Sequence, residues 1–141
     1  MSVHRTRILF CTIGYRDLDD DALVSDHAFI NHVTQFMDVF GLVCDNLEHI
    51  NDDDNVAVRQ LLILGATHAS IRGFDVRYFH TLLRCCNHKW TQVIGEEYTP
   101  EMRESWKNVF EYIISKVHDG YSICIREIKN DIKLVENSHN V

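Results

Sequence analysis

Apolar residues recur at alternating steps of four and three through long stretches of this chain, a spacing that suits packed helices and little else. Phe29, Val33, Phe36, Phe40, Val43 and Leu47 form the first such stripe, which Ser25 or Asp26 can cap, and His32 sits beside it one turn before Phe36. A shorter helix is expected from about Val56 to His68, with Leu61, Leu64, Gly65 and His68 on one face, before Gly73 breaks the pattern. A third runs from about Asp75 to Ile94 and buries Phe79, Leu82, Leu83, Cys86, Trp90 and Val93 by period, with Gly95 ending it. Thr99 as cap and Pro100 at the first helical position open a fourth. That helix turns Trp106, Val109, Phe110, Ile113 and Val117 inward and is expected to reach about Gly120. Tyr121, Ile125, Ile128, Ile132 and Val135 keep the same spacing; Ile123-Cys124-Ile125 also suits a short strand, but a helical tail over 122–141 is expected. The polar runs at 17–21 and 51–55 read as loops, because short polar side chains bond local backbone and compete with helix. The fold class is all-α.

At 141 residues, 45% of them apolar, the chain fits a single domain spanning 1–141. Fourteen Lys and Arg against 21 Asp and Glu leave a net charge of -7, which repels a phosphate backbone or an anionic membrane surface, so neither nucleic acid nor membrane is expected as a partner. The longest apolar run, Leu61 to Leu64, is far too short to cross a bilayer, and the first residues do not form a secretory signal. Five cysteines at 11, 44, 85, 86 and 124, without a CxxC pair, read as reduced thiols of a cytoplasmic protein. No Cys pair has the spacing of a zinc finger or ribbon. Nine histidines, however, are more than a chain of this size needs for packing.

Two of them, His32 and His68, lie on the apolar sides of separate helices joined through an acidic turn. Taken singly, each reads as a core histidine with a satisfied hydrogen bond. Taken together, they suit two helices facing across a slot, where a flat aromatic cofactor with a central metal takes an axial imidazole from one wall and a polar group from the other. Phe10, Phe36 and Phe74 can supply apolar walls, although aromatics at helical spacing also suit a plain core. No nucleophile triad or paired-carboxylate site is evident, and an enzymatic role is not expected.

Leu64-Gly-Ala-Thr-His68, Arg72-Gly-Phe74, the aromatic Phe79, Val93-Ile-Gly95, Tyr98-Thr-Pro-Glu-Met-Arg-Glu-Ser-Trp106 and Asp119-Gly-Tyr121 together resemble the second half of an animal globin. Phe29-Ile-Asn-His32-Val-Thr-Gln-Phe36-Met37 resembles the distal helix of that family, and Leu9-Phe10 resembles the apolar turn before it. The resemblance covers about residues 8 to 121. It implies a haem b cofactor, with His68 as the proximal iron ligand and His32 as the distal residue, which either donates a hydrogen bond to bound gas or binds the iron itself. Phe10 is then the phenylalanine that stacks on the porphyrin, Leu64 packs beneath it, and Ile71 and Phe74 touch its edge. Phe36 stands where many relatives carry a smaller aliphatic residue and is expected to narrow the gas pocket.

The implied function is reversible binding of dioxygen or another diatomic gas for transport, storage or sensing; a globin-derived interaction module that has lost haem is the alternative. Too few residues precede Phe10 for the two helices that open a full globin domain, so an N-terminally shortened globin is expected. The apolar tail is then expected to cover part of the surface left open, in the same chain or in a homodimer.

Overall fold

The structure is a computed structural model that describes residues 20–52 and 54–139. Among them are five α-helices and no strand: α1 Asp20–Leu23, α2 His27–Asp45, α3 Val56–Ala69, α4 Arg77–Ile94 and α5 Pro100–His139, with short 3-10 turns at Leu47–His49 and Gly95–Glu97. The all-α expectation holds. The chain divides into two compact units, one of residues 1–60 and 71–74, the other of 61–70 and 75–141. Helix α3 begins in the first and ends in the second.

In the first unit the polar segments act as caps. The Asp26 carboxylate accepts from the Phe29 amide at 3.0 Å and starts α2, so the cap is Asp26 rather than Ser25. Asp20 and Asp21 open the single turn of α1 instead of lying in a loop, and the carbonyls of Ala22 and Leu23 accept from the amides of Ser25 and Asp26. The segment before α3 is a loop as expected, but Asn55 within it is buried. Its amide nitrogen donates to the His49 carbonyl at 2.7 Å, while its Oδ1 accepts from the Ala57 and Val58 amides at 2.8 and 3.2 Å. One side chain thus ties the 3-10 turn to the start of α3 and satisfies two orphan helix donors. Val43 and Ala57 are fully buried here, and the Phe36 and Phe40 rings stack at 6.3 Å. Val33 and Leu47, inward by period, are exposed; Leu47 falls in the 3-10 turn, where the α-helical period no longer applies.

In the second unit, α4 and α5 form a hairpin. Gly95 ends α4 at φ +69°, a conformation that glycine adopts without strain. Trp90 meets the rings of Trp106 and Phe110, each at 5.2 Å. Between the helices, buried Tyr98 donates its hydroxyl to Asn87 Oδ1 at 2.9 Å, so this buried side chain's polar end is paired. The Thr99 hydroxyl accepts from the Met102 amide at 3.2 Å with Pro100 in the first turn, as the spacing predicts. Ile114, absent from the expected inward set, is buried with Phe110 and Val117. Conversely, Leu82 and Val93 are exposed, because α4 turns Trp90's side toward α5 and that contact covers a narrower arc than the period implies.

The end of α3 crosses α5 with backbones in contact. A Cβ placed on Gly65 would lie 1.9 Å from the Val117 carbonyl oxygen, and one on Gly120 would lie 2.0 Å from the Leu62 carbonyl oxygen. Gly120 therefore does not terminate α5. It lets Leu62 approach, and the helix runs on to His139. The tail is helical to His139 as a continuation of α5, and Ile128, Ile132 and Val135 are exposed.

Gly65→Ala and Gly120→Ala are each expected to destabilise the chain by about 3 kcal/mol, since the obstructing atoms are backbone and overpacking there outweighs the helix propensity gained. Gly41→Ala, in α2 with nothing within 4 Å, is expected to stabilise by up to about 1 kcal/mol. Asn55→Ala should cost about 1–2 kcal/mol, and Asn55→Asp should recover only part of it because the donor to His49 is lost. Denaturant titrations of the five variants read all of these signs.

Candidate haem-ligand site around His68

His68 lies in the last turn of α3, three residues beyond Gly65 and on the same face as Leu61 and Gly65. Its Nδ1 is 2.8 Å from the Leu64 carbonyl oxygen. A carbonyl oxygen only accepts, so Nδ1 carries the proton and donates, and the neutral imidazole keeps its lone pair on Nε2. The edge of the Phe79 ring, from the first turns of α4, meets the imidazole at 5.1 Å between centroids and 66° between planes. Backbone oxygen on one side and aromatic edge on the other hold the ring's orientation, the kind of support that prepares a histidine for a metal. Burial pushes the His68 imidazole below the ordinary histidine range, and the hydrogen bond to Leu64 only partly opposes it. Near neutral pH the ring is therefore in the form that can ligate.

Three of the residues singled out from sequence or resemblance, Leu64, His68 and Phe79, meet in the second unit. Phe79 had been assigned only to the core and to the resemblance; its role against His68 arises from the turn at 70–76, which periodicity does not describe. His32, Phe36, Ile71 and Phe74 belong to the first unit and are all half-buried. His32 and Phe36 are one turn apart on α2, and the Phe74 amide donates to the Ile71 carbonyl at 3.1 Å. Phe10 lies outside the described residues.

The donor set fits a haem better than a protein-built metal cage. Haem brings four nitrogen donors of its own and asks the chain for one or two axial groups, whereas no three His, Cys, Asp or Glu side chains converge as a metal-holding group among the described residues. Cys44, Cys85, Cys86 and Cys124 are free thiols. No helix of the described residues is long and apolar enough to cross a membrane.

The lowered His68 pKa makes a signed prediction. The unfolded chain takes up its proton near pH 6.5 while the folded chain resists, so below about pH 6.5 the unfolded state binds more protons and stability falls. In the haem-free protein, the loss of melting temperature between about pH 8 and about pH 5.5 should be larger for the native chain than for His68→Gln. Equal losses would show that His68 is not shielded.

The Globin family profile matches residues 4–117, a span that takes in His32, Phe36, Leu64, His68, Ile71, Phe74 and Phe79. Neuroglobin of Dissostichus mawsoni is 24% identical over 99 residues, which is 70% of this chain and 59% of that relative, so the chain spans less than two thirds of neuroglobin's length. No solved structure matches the chain significantly. With the family profile covering most of its length, this chain belongs to the globin family.

Proposed function

We propose that this chain binds haem b through His68 and uses it to take up dioxygen or another diatomic gas reversibly, as a carrier, store or sensor rather than an enzyme. The observation that carries the reading is the oriented, neutral His68 imidazole: Nδ1 held by the Leu64 carbonyl, the ring flanked by Phe79, and the lone pair on Nε2. When bound, haem supplies an iron with a coordination position at which a diatomic gas attaches.

The chain's own groups do the rest. His68 Nε2 would hold the haem iron, and the proton on Nδ1, donating to the Leu64 carbonyl, raises the basicity of the ring and opposes its rotation. His32 on α2 is assigned as the distal residue. A neutral imidazole there can donate one hydrogen bond to a gas that gains partial negative charge, or can itself occupy the iron. Phe36, one turn on, fills volume that an aliphatic side chain would leave open and so restricts gas access. By the family resemblance, Leu64, Phe10, Ile71 and Phe74 would supply apolar surface against the haem, and apolar surface keeps out the water that promotes oxidation of the iron.

Purified with haem, the protein should show a Soret band that shifts on adding carbon monoxide. His68→Ala should abolish tight haem retention, His32→Leu should retain haem and release dioxygen faster, and Phe36→Val should speed carbon monoxide binding after flash photolysis. Equal and weak haem affinity in the native and His68→Ala proteins would instead identify a globin-derived interaction module without haem. The visible spectrum of the ferrous protein without gas separates the two roles of His32: split, intense bands mean that both histidines bind, and one broad band means an open sixth position.

A further inference from the structure

Helix α4 opens on a knot of hydrogen bonds centred on Asp75, two residues before its start. The Asp75 Oδ1 accepts from the amide of Arg77, the first residue of the helix, at 2.9 Å and so satisfies one of the helix's free donors. The Arg77 Nε reaches both oxygens of the same carboxylate, at 2.9 and 2.8 Å, and Nη2 also donates to Oδ2. Along the backbone, the Asp75 carbonyl accepts from the Tyr78 amide at 2.8 Å and the Val76 carbonyl from the Phe79 amide at 3.2 Å. Asp75 thus binds through both side chain and main chain, and the backbone from it to Phe79 is fixed.

Phe79 is the third residue of α4, and its ring packs on the His68 imidazole within the second unit, to which Asp75 also belongs. The contact restrains what the hydrogen bond to Leu64 leaves loose. That bond, 2.8 Å from Nδ1 to the carbonyl oxygen, keeps its geometry near only one setting of the two side-chain torsions. Its net strength is modest, and it does not lock the ring by itself. The Phe79 ring obstructs rotation toward α4 and so keeps the imidazole at its acceptor. The Asp75–Arg77 ion pair adds little stability, because the Arg77 side chain is mostly in solvent. Its contribution is the geometry of the turn that delivers Phe79.

We propose that Asp75 is a positioning residue for His68: by fixing the first turn of α4 it holds the Phe79 ring against the imidazole, which keeps Nδ1 on the Leu64 carbonyl and Nε2 free to ligate. The use of that orientation rests on the reading of His68 as haem ligand, while the orientation itself does not need haem. Without the Phe79 ring the imidazole can turn away from Leu64. Once it leaves that acceptor, either nitrogen can carry the proton, and a ring protonated on Nε2 cannot ligate through Nε2. An Asp75 that served only to start a helix would have no effect on the tautomer of a histidine in another helix. The tautomer therefore separates positioning from plain stability.

The test reads the His68 tautomer by nitrogen NMR of the full haem-free chain, labelled in histidine, at about pH 8, where histidine is neutral. The native ring should hold its proton on Nδ1. Asp75→Ala and Phe79→Leu should each populate the form protonated on Nε2, and Phe79→Tyr, which keeps the ring, should restore the native form. Asp75→Ala should add nothing to the tautomer shift once Phe79→Leu is present, because one acts through the other. Tyr98→Phe removes the bond to Asn87 in the same unit and controls for lost stability; it should leave the tautomer unchanged. In the haem-loaded protein, Phe79→Leu and Asp75→Ala should speed haem loss to a scavenging apoprotein by about tenfold. A native tautomer in both variants overturns the proposal, as does an equal shift in Tyr98→Phe or a full Asp75→Ala effect in the Phe79→Leu background. Expected tautomer shifts in a native chain that fails to retain haem would support the positioning and remove the haem reading alone.

Discussion

The close approach of two helix backbones at Gly65 and Gly120 is the contact on which the second unit depends. Each glycine admits a carbonyl of the other helix where any Cβ would collide: Val117 O at one, Leu62 O at the other. Because the obstruction is reciprocal and made of backbone, it cannot be relieved by a side-chain rotation. It fixes α3 against α5, and with α3 it fixes His68, which stands less than a turn past Gly65. Leu61 and Val117, each about one turn before a crossing glycine, are fully buried.

That rigidity matters because His68 is asked to do something costly. A half-buried imidazole is held in one tautomer by a backbone acceptor and in one orientation by the Phe79 edge. Desolvation keeps it uncharged, which withdraws stability at low pH and in return leaves a ligating lone pair available near neutral pH. A flexible or exposed histidine would lack this preparation, and binding would have to supply the ordering free energy. The same unit closes its α4–α5 turn with Tyr98 bonded to Asn87, so the polar groups nearest the hairpin core are paired. Among the described residues, no buried side-chain nitrogen or oxygen lacks a partner.

Surface chemistry is divided unevenly. The apolar positions of α4 and of the α5 tail exceed what their neighbours cover, leaving Leu82, Val93, Ile128, Ile132 and Val135 in solvent. On the tail the excess lies among charges of both signs, Arg126, Glu127, Lys129, Asp131 and Lys133.

The periodic spacing of apolar residues, the caps at Asp26 and Thr99, the stop at Gly95 and the identity of His68 were all legible in the chain, because each depends on contacts within a few residues of itself. The family itself was legible from short motifs such as Leu64 to His68 and Tyr98 to Trp106. What local pattern did not reveal was which half of a wide apolar arc would be covered: Ile114 went in while Leu82 and Val93 stayed out. Nor did it reveal that Asn55 bonds across a turn, that Phe79 reaches His68, or that Gly120 serves a helix crossing instead of a helix end. These last features depend on groups far apart in the chain or separated by an irregular turn. The sequence determined the helices, since hydrogen bonds and periodicity act locally. Tertiary structure decided which faces meet, since a glycine's missing Cβ has meaning only when another backbone comes to occupy its place.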